Sequence, residues 1–367
     1  MVDALVPGGL ERVAVNLANS LPRSRYRVHL CTTRQDGSLE AGVSTDVERL
    51  RLRKSGRFDP VALHRLVRHV RANDIRLIHA HGTSLFLAAV AAAFRPRPVV
   101  VWHDHFGRFG SEERPVGIYG PAARRAGGVI AVSEALAGWS RGRLGVRPEC
   151  VYYIPNFVLP PEQSPAVDGL PGSPGSRIVC VANFRRQKDH LGLVRAMTTV
   201  VRSRPEAHLL LVGESSDRDY EGEVRNLVSA EGLDRNVSIL GFRNDVAGVL
   251  HACDLGVLSS TSEGFPLALI EYGWASLPAV ATCVGQCEEI LDGGRAGVLV
   301  PCASPEKLAE ALVGLLVNAD RRQELGKRLR DRVEREYGRD RTIERVCDVY
   351  EAALRTSRDA RASAKVS

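Results

Sequence analysis

The stretch Leu255-Gly256-Val257-Leu258-Ser259-Ser260-Thr261-Ser262-Glu263-Gly264-Phe265-Pro266-Leu267-Ala268-Leu269-Ile270-Glu271 decides how the rest of the chain is read. Its first four residues have the composition of a buried strand, small polar residues then make a turn, and an apolar helix follows the glycine. Strand, turn and helix in that order are how a parallel sheet presents free helix amides and a partial positive charge to an anion. Glu263 and Glu271 stand eight residues apart, close to two helical turns, so both carboxylates face the same way if the helix begins near Glu263. The same residues also fit a carboxylate at a helix start followed by an ordinary buried glutamate.

Outward from that stretch the pattern repeats. Short apolar runs at 177–181, 208–212, 237–240, 279–281 and 297–300 flank it, and another series at 28–32, 77–80, 99–102, 128–132 and 150–154 precedes it, with helical patterns at 10–21, 60–72 and 85–94. Strands alternating with helices predict an α/β fold with parallel sheets. Between the two series lies Leu159 to Ser176, rich in Pro, Gly and Ser, where neither strand nor helix should form. The expected layout is an N-terminal Rossmann-like domain over 1–158, a linker over 159–176, a C-terminal Rossmann-like domain over 177–340, and a helix with a tail over 341–367 that can cross back to the first domain. Two doubly wound domains joined in this way predict an inter-domain cleft as the ligand site. The first domain starts oddly, because only Val2–Leu5 precede the Gly8-Gly9 turn, so its first strand should be stunted.

Composition narrows the function classes. At 367 residues the chain is roughly twice the ~150 residues of a typical single core. Apolar residues make up 44% and no apolar run approaches the ~18 residues of a spanning helix. The N-terminus has no basic region followed by an apolar stretch, so a cytoplasmic protein is expected. Eight scattered cysteines read as reduced and mostly structural, since Cys283 and Cys287 lack a second pair to complete a zinc site. The net charge of +7 is concentrated in Arg49–Arg76 and Arg321–Arg345, and fits either solvated helix faces or attraction to anionic headgroups at the inner membrane surface. Nucleic acid is not an expected partner, because the basic residues are not interleaved with aromatics. Oligomeric state is not encoded legibly.

Three further stretches carry chemistry. Val179 to His190 runs from a strand into Asn183-Phe184-Arg185-Arg186-Gln187-Lys188, and cations at the carboxyl end of a strand can neutralise a diphosphate without a metal; Arg185 and Lys188 are the candidates. Val99 to Gly107 ends an apolar strand in His103-Asp104-His105, which suits either a metal site or a histidine bonding a substrate hydroxyl; the second reading, with His103, is preferred because a third ligand group is missing. Gly8-Gly9 before a helix allows close backbone approach of a phosphate or an acceptor. Neither a Gly-x-Gly-x-x-Gly after a strand nor a P-loop occurs, which counts against nicotinamide and P-loop enzymes.

Together these stretches resemble the retaining glycosyltransferases of family 4, which have the GT-B fold and include bacterial enzymes of cell-surface polysaccharide and glycolipid synthesis. The most specific part is Glu263-Gly264-Phe265-Pro266-Leu267 with Glu271, similar to the family's Glu, seven residues, Glu signature. Val181 to His190 resembles the diphosphate loop, although Ala182-Asn183 stands where Gly-Arg is commoner. Gly8-Gly9-x-Glu11-Arg12, Ile154-Pro155-Asn156, Leu211-Val212-Gly213-Glu214, Leu240-Gly241-Phe242-Arg243-x-Asp245 and Ala281-Thr282-x-Val284-Gly285 also match, with Gln286 in place of a second glycine. The resemblance implies a hexosyltransferase that uses a UDP- or GDP-sugar and a glycan or lipid-linked acceptor, retains configuration, and needs neither metal nor cofactor. His103, Glu263, Arg185 and Lys188 would be catalytic. Gly8, Gly9, Asn183, Gly213, Glu214, Phe242, Arg243, Gly264, Phe265, Pro266, Leu267 and Glu271 would join Arg185, Lys188 and Glu263 around the donor, with Glu263 by the sugar and Glu271 on the ribose. An epimerase of the same architecture and an inactive nucleotide-sugar-binding subunit are the alternatives.

Overall fold

The short apolar runs become parallel strands in two units of the chain, Met1–Phe157 together with Arg339–Ser367, and Val158–Gly338. They are seen in a computed structural model that describes residues 1–106, 114–160, 167–215 and 217–366.

In the first unit the strands are β1 (His29–Thr32), β2 (Glu48–Arg51), β3 (Leu77–His81), β4 (Val99–Asp104), β5 (Gly128–Ala131) and β6 (Val151–Tyr153). β3-β4-β5-β6 form one parallel sheet and β1-β2 a separate parallel pair. Between them lies the start of the chain. Val2 makes a single bridge to Thr32, the Met1 amine donates to the His79 carbonyl at 2.7 Å, and the Met1 carbonyl accepts from the His81 amide at 3.0 Å. The first strand expected at Val2–Leu5 is therefore one bridge long. β2 escaped the sequence reading because its Glu-Arg-Leu-Arg is mostly exposed, with Arg49 and Arg51 paired to Glu40 and Asp36.

Helices α1 (Gly9–Ser20), α2 (Pro60–Ala72), α3 (Leu85–Ala91), α4 (Val116–Arg124) and α5 (Glu134–Gly142) complete the alternation. Local chemistry sets their starts: Asp59 accepts from the Ala62 amide at 2.9 Å with Pro60 in the first turn, and Ser133 caps α5. The C-terminal helix Arg339–Val366 belongs to this unit, burying Val349 and Ala353 beside β4 and β5, and Arg345 donates to the Tyr153 carbonyl.

The second unit holds β7 (Arg177–Val181), β8 (His208–Val212), β9 (Val237–Gly241), β10 (Leu255–Leu258), β11 (Ala279–Thr282) and β12 (Val298–Val300), all parallel, in the order β12-β11-β10-β7-β8-β9. The chain winds outward from β7 through β8 to β9, then returns to the other side of β7 with β10. Helices α6 (His190–Ser203), α7 (Arg218–Ala230), α8 (Val246–His251), α9 (Leu267–Trp274), α10 (Cys287–Ile290), α11 (Pro305–Leu316) and α12 (Ala319–Tyr337) cover it. Ile178, Leu209, Leu211, Leu255, Val257 and Val280 meet Val194, Met197, Leu308 and Leu312 in one core. Each such side chain is worth about 1.5–3 kcal/mol when removed from water.

The described residues of the expected linker contain neither strand nor helix. Its end is fastened to the second unit, where the Arg177 guanidinium donates to the carbonyls of Leu170, Pro171 and Gly172 at 2.9, 3.1 and 2.7 Å. The basic run 321–345 is largely a solvated helix face, with Arg321–Glu324, Lys327–Asp331 and Arg330–Glu334 paired along α12. The eight cysteines are unpaired, and Cys283 and Cys302 are exposed. Among the described residues no helix is long and apolar enough to cross a membrane.

Candidate active site

In the second unit the strand order reverses between β7 and β10, and an open α/β sheet binds ligands outside the carboxyl ends of its strands at such a switch point. Two sequence-predicted segments leave the sheet there. After β7 the chain passes Ala182–Arg185, makes a 3₁₀ turn at Arg186–Lys188, and starts α6 at Asp189, a left-handed residue (φ 49°) whose carboxylate accepts from the Gly192 amide at 3.0 Å. After β10 comes Ser259–Pro266. Ser259 Oγ donates to the Lys188 carbonyl at 2.9 Å and the Thr261 amide to the Gln187 carbonyl at 2.8 Å, so the two loops are stitched together.

The stitching brings Lys188 Nζ to 2.5 Å from Glu263 Oε1, which also accepts from Ser260 Oγ at 2.7 Å. Both side chains are largely buried, at 19% and 7% exposure. Ser260 is a contact that the sequence reading missed. Glu263 is held from behind by Gly285: with φ at +53°, a Cβ there would lie 2.2 Å from the Glu263 carbonyl oxygen. This is the glycine the loop requires. Gln286, where the family pattern has a second glycine, uses its amide to donate to the Gly264 carbonyl at 3.3 Å.

One expectation is corrected. The helix begins at Leu267, not near Glu263, so Glu263 sits in the turn before α9 while Glu271 lies in its second turn. The two carboxylates are therefore not two turns apart on one helix. A helix started at Glu263 would have placed Pro266 in its first turn; the chain instead uses Pro266 as the N-cap, with extended φ and ψ.

The remaining donor-side candidates divide by what their side chains touch. Phe265 is buried against Tyr337, ring centroids 5.5 Å apart, and Leu267 is buried as well, so these two could reach a ligand only through their amides; Pro266 has none. Asn183 Oδ1 accepts from the Glu214 amide at 3.0 Å, and the Phe184 amide donates to the Glu214 carbonyl at 2.9 Å. Gly213 makes that crossing possible, since a Cβ would fall 2.0 Å from the Ala182 oxygen. Asn183, Gly213 and Glu214 are thus parts of the loop's frame. Phe242 is 40% exposed at the end of β9, and Arg243 forks onto Asp245. Arg185 is exposed beside Arg186, which is engaged by Glu223 at 2.5 Å and lies over Tyr220. Burial pushes the Cys180 thiol up to about 12, so this nearby sulfur stays a neutral packing group.

In the first unit Gly8 caps α1 with ordinary extended φ, and Gly9 opens the helix. His103 lies at the end of β4 among a cluster that the sequence reading did not assemble. Period-two alternation puts His79 and His81 of β3 beside His103 and His105. Tyr350 Oη lies 2.6 Å from His79 Nδ1, His79 Nε2 lies 3.1 Å from His103 Nδ1, and His81 Nδ1 lies 2.9 Å from His105 Nε2. Burial holds the pKa values of His79, His81 and His103 well below the usual range and takes His105 to about 3, so the imidazoles are neutral. His103 Nε2 and His105 Nδ1 are buried without a partner among the described residues. Asp104 belongs elsewhere: its carboxylate is paired with Arg114 at 2.6 Å, and Phe106, Tyr119 and Trp139 surround that guanidinium at 4.3–4.6 Å.

Neutral imidazoles can ligate metals, and nitrogen atoms of His79, His81 and His103 lie within 4.8 Å of one another. A ligated ion lies in the plane of each imidazole. The His79 and His81 rings are stacked 4.4 Å apart at 12°, so their lone pairs run side by side and do not converge on one point. As arranged, His79 is bonded to His103 and His81 to His105, and the trio is not a ready ligand set.

Two Rossmann-like domains with charged loops at a switch point define a class of group-transfer proteins, and the comparisons place the chain within it. Residues 7–160 match the model described as Glycosyltransferase Family 4, and residues 175–318 the model described as Glycosyl transferases group 1. The chain belongs to glycosyltransferase family 4 and has the GT-B fold. It is 26% identical over 182 residues to the N-acetyl-alpha-D-glucosaminyl L-malate synthase of Bacillus anthracis, covering 50% of this chain and only 47% of that protein. It is 26% identical to the phosphatidyl-myo-inositol mannosyltransferase of Mycobacterium leprae, covering 85% of each chain. The Anabaena protein Alr3699/HepE in complex with UDP-glucose superposes with a TM-score of 0.79 at 20% identity, over 96% of this chain and 99% of that one.

Proposed function

We propose that the protein is a retaining glycosyltransferase that moves a hexose from a UDP- or GDP-linked donor to a glycan or lipid-linked acceptor without a metal ion. The observation that carries this reading is the Lys188–Glu263 pair at the β7/β10 switch point, with Arg185 exposed on the same loop. A nucleoside diphosphate is a poor leaving group until its growing charge is neutralised. An ammonium and a guanidinium at a strand's carboxyl end supply that neutralisation. Glu263, already fixed by Lys188 and Ser260, is poised to accept from a sugar hydroxyl.

The bond from the sugar's anomeric carbon to the diphosphate oxygen breaks while the acceptor oxygen bonds to the same face of that carbon. The acceptor's proton passes to the departing diphosphate, so no protein base is required. His103, whose Nε2 has no partner among the described residues, offers a hydrogen bond to a substrate oxygen. Support for the donor class comes from the Anabaena structure with UDP-glucose, and for an anionic lipid acceptor from the similarity to the phosphatidyl-myo-inositol mannosyltransferase of Mycobacterium leprae. Exposed Arg65, Arg68 and Arg71 on α2 fit contact with anionic headgroups.

The test is incubation with UDP- and GDP-hexoses plus candidate acceptors, with product configuration read by NMR, in the presence and absence of EDTA. Retained configuration, indifference to EDTA, and a loss of at least about 100-fold in Arg185→Ala/Lys188→Ala are expected. An inverted product, or activity abolished by EDTA, overturns the mechanism; absence of both transfer and nucleotide binding overturns the reading.

A further inference from the structure

The histidine cluster contains a line of hydrogen bonds with a direction. Its first link joins Tyr350 Oη and His79 Nδ1 at 2.6 Å. Hydroxyl donors sit about 2.7–2.8 Å from their acceptors, whereas N–H donors sit about 2.9–3.0 Å away, so the length favours the phenol as donor and the imidazole nitrogen as acceptor. Acidity favours the same sense, because a phenol donates more strongly than it accepts. Tyr350 is 3% exposed, and burial holds its hydroxyl protonated.

The rest follows by counting hydrogens. A neutral imidazole carries one, and if His79 Nδ1 accepts, its hydrogen is on Nε2. That atom faces His103 Nδ1 at 3.1 Å, which must then accept in turn. The single hydrogen of His103 is left on Nε2, the buried atom without a partner among the described residues.

We infer that Tyr350, on the C-terminal helix, is a positioning residue that acts through His79 to fix the hydrogen of His103 at Nε2, so that His103 meets its substrate as a hydrogen-bond donor. The assignment of His103 to the substrate rests on the proposed glycosyltransferase reading; the tautomer does not. With its proton already on Nε2 and Nδ1 occupied by His79, His103 cannot take the proton of the acceptor hydroxyl. It donates instead to an oxygen of the sugar or the acceptor, and the diphosphate remains the base. His79 occupies the middle of the line, held at one end by a helix more than 250 residues away in sequence (|i−j| = 271). That helix is thereby a requirement of the site as well as of the core.

Two-bond proton–nitrogen correlation spectra of the ¹⁵N-histidine-labelled full-length protein read the tautomer directly. In the wild type, His79 and His103 should both be protonated at Nε2. In Tyr350→Phe, which keeps the ring and removes the donor, both should become mixtures of the two tautomers. The kcat for transfer should fall about three- to tenfold while the KM for the donor stays within twofold, as expected for one misdirected hydrogen bond. His103 protonated at Nδ1 in the wild type, or a tautomer unchanged by Tyr350→Phe, overturns the inference, and the wild-type spectrum needs no variant to fold. If the spectra are as expected but the wild-type protein neither transfers sugar nor binds nucleotide, the line of hydrogen bonds stands and the glycosyltransferase reading fails.

Discussion

At the scale of single residues, two glycines that look alike in sequence do different work. Gly213 lies where the ends of β7 and β8 cross, and a Cβ would meet main-chain atoms of Ala182 at 2.0 and 2.5 Å, which cannot swing aside. Gly8 has extended backbone, and a Cβ would meet only the flexible carboxylate of Glu11. Gly213→Ala should therefore cost about 1–3 kcal/mol, seen as a lower urea midpoint, whereas Gly8→Ala should stay within about 0.5 kcal/mol. Equal effects at the two positions would show that the close approach at Gly213 is not what requires glycine. The buried Asp104–Arg114 pair makes a second case. Asp104 is 1% exposed and Arg114 6%, and desolvation raises the Asp104 pKa despite the guanidinium. Arg114→Met leaves that carboxyl buried alone and should cost about 3–5 kcal/mol, while the double replacement Asp104→Leu/Arg114→Met should recover most of it. A double variant no more stable than the single one would place the cost in the lost aromatic contacts of the guanidinium.

At the scale of elements, the strands were legible because central strands of a parallel sheet are buried on both faces and read as unbroken apolar runs. Edge and partner elements were not: β2 is charged and exposed, and its place follows from β1 beside it. The catalytic candidates at strand ends were legible for the same reason as the strands, since Lys188 and Glu263 each follow one directly. Misjudging the start of α9 came from treating the carboxylate spacing as helical, when Pro266 disfavours helical geometry at Phe265 before it and so favours a start after it. The histidines were half legible. His-x-His at 79–81 and 103–105 announces two side chains on one face of each strand, but only the pairing of β3 with β4 makes them neighbours. That pairing has a consequence for acid stability. Burial lowers the pKa of all four histidines in the fold, and of the adjacent Met1 amine too. A lowered value means the unfolded chain binds protons first, so the stabilisation is complete above the unfolded histidine value near 6.5 and is lost as pH falls below it. Each histidine should remove about 1.4 kcal/mol per pH unit between that value and its own folded pKa. Asp104, raised by burial, acts in the opposite sense between the unfolded carboxylate value and its own raised one. Urea midpoints should fall steeply from pH 7 to pH 5, and less steeply in His105→Gln. A flat profile would mean that the four imidazoles are not buried neutral.

At the scale of the whole molecule, the chain folds as two units, and the C-terminal helix returns to the first after the second is complete. Sequence signalled that layout through the Pro- and Gly-rich stretch 159–176, but the return of the helix is written only in which apolar residues find a surface: Val346, Val349 and Ala353 are buried in the first unit. Two units need not melt together, so a ligand can be located by the transition it moves. Arg185, Lys188, Glu263 and the amides near Gly264 all belong to the second unit. At 100 times its dissociation constant a nucleoside diphosphate adds about 2.7 kcal/mol to the state that binds it, which in a unit of this size raises the melting temperature by roughly 5–10 °C. Calorimetry with UDP and with GDP should show that rise in one transition, and hydrogen exchange should assign it to peptides from β7, β10 and the loops that follow them. Arg185→Ala/Lys188→Ala should remove the shift, read against the variant's own unliganded transition, which falls because Lys188→Ala leaves the buried Glu263 carboxylate without its cation; Arg185→Ala alone, at an exposed side chain, should leave that transition in place. If UDP and GDP both leave every transition in place, the charged switch point does not hold a diphosphate, and Lys188 serves only to neutralise Glu263.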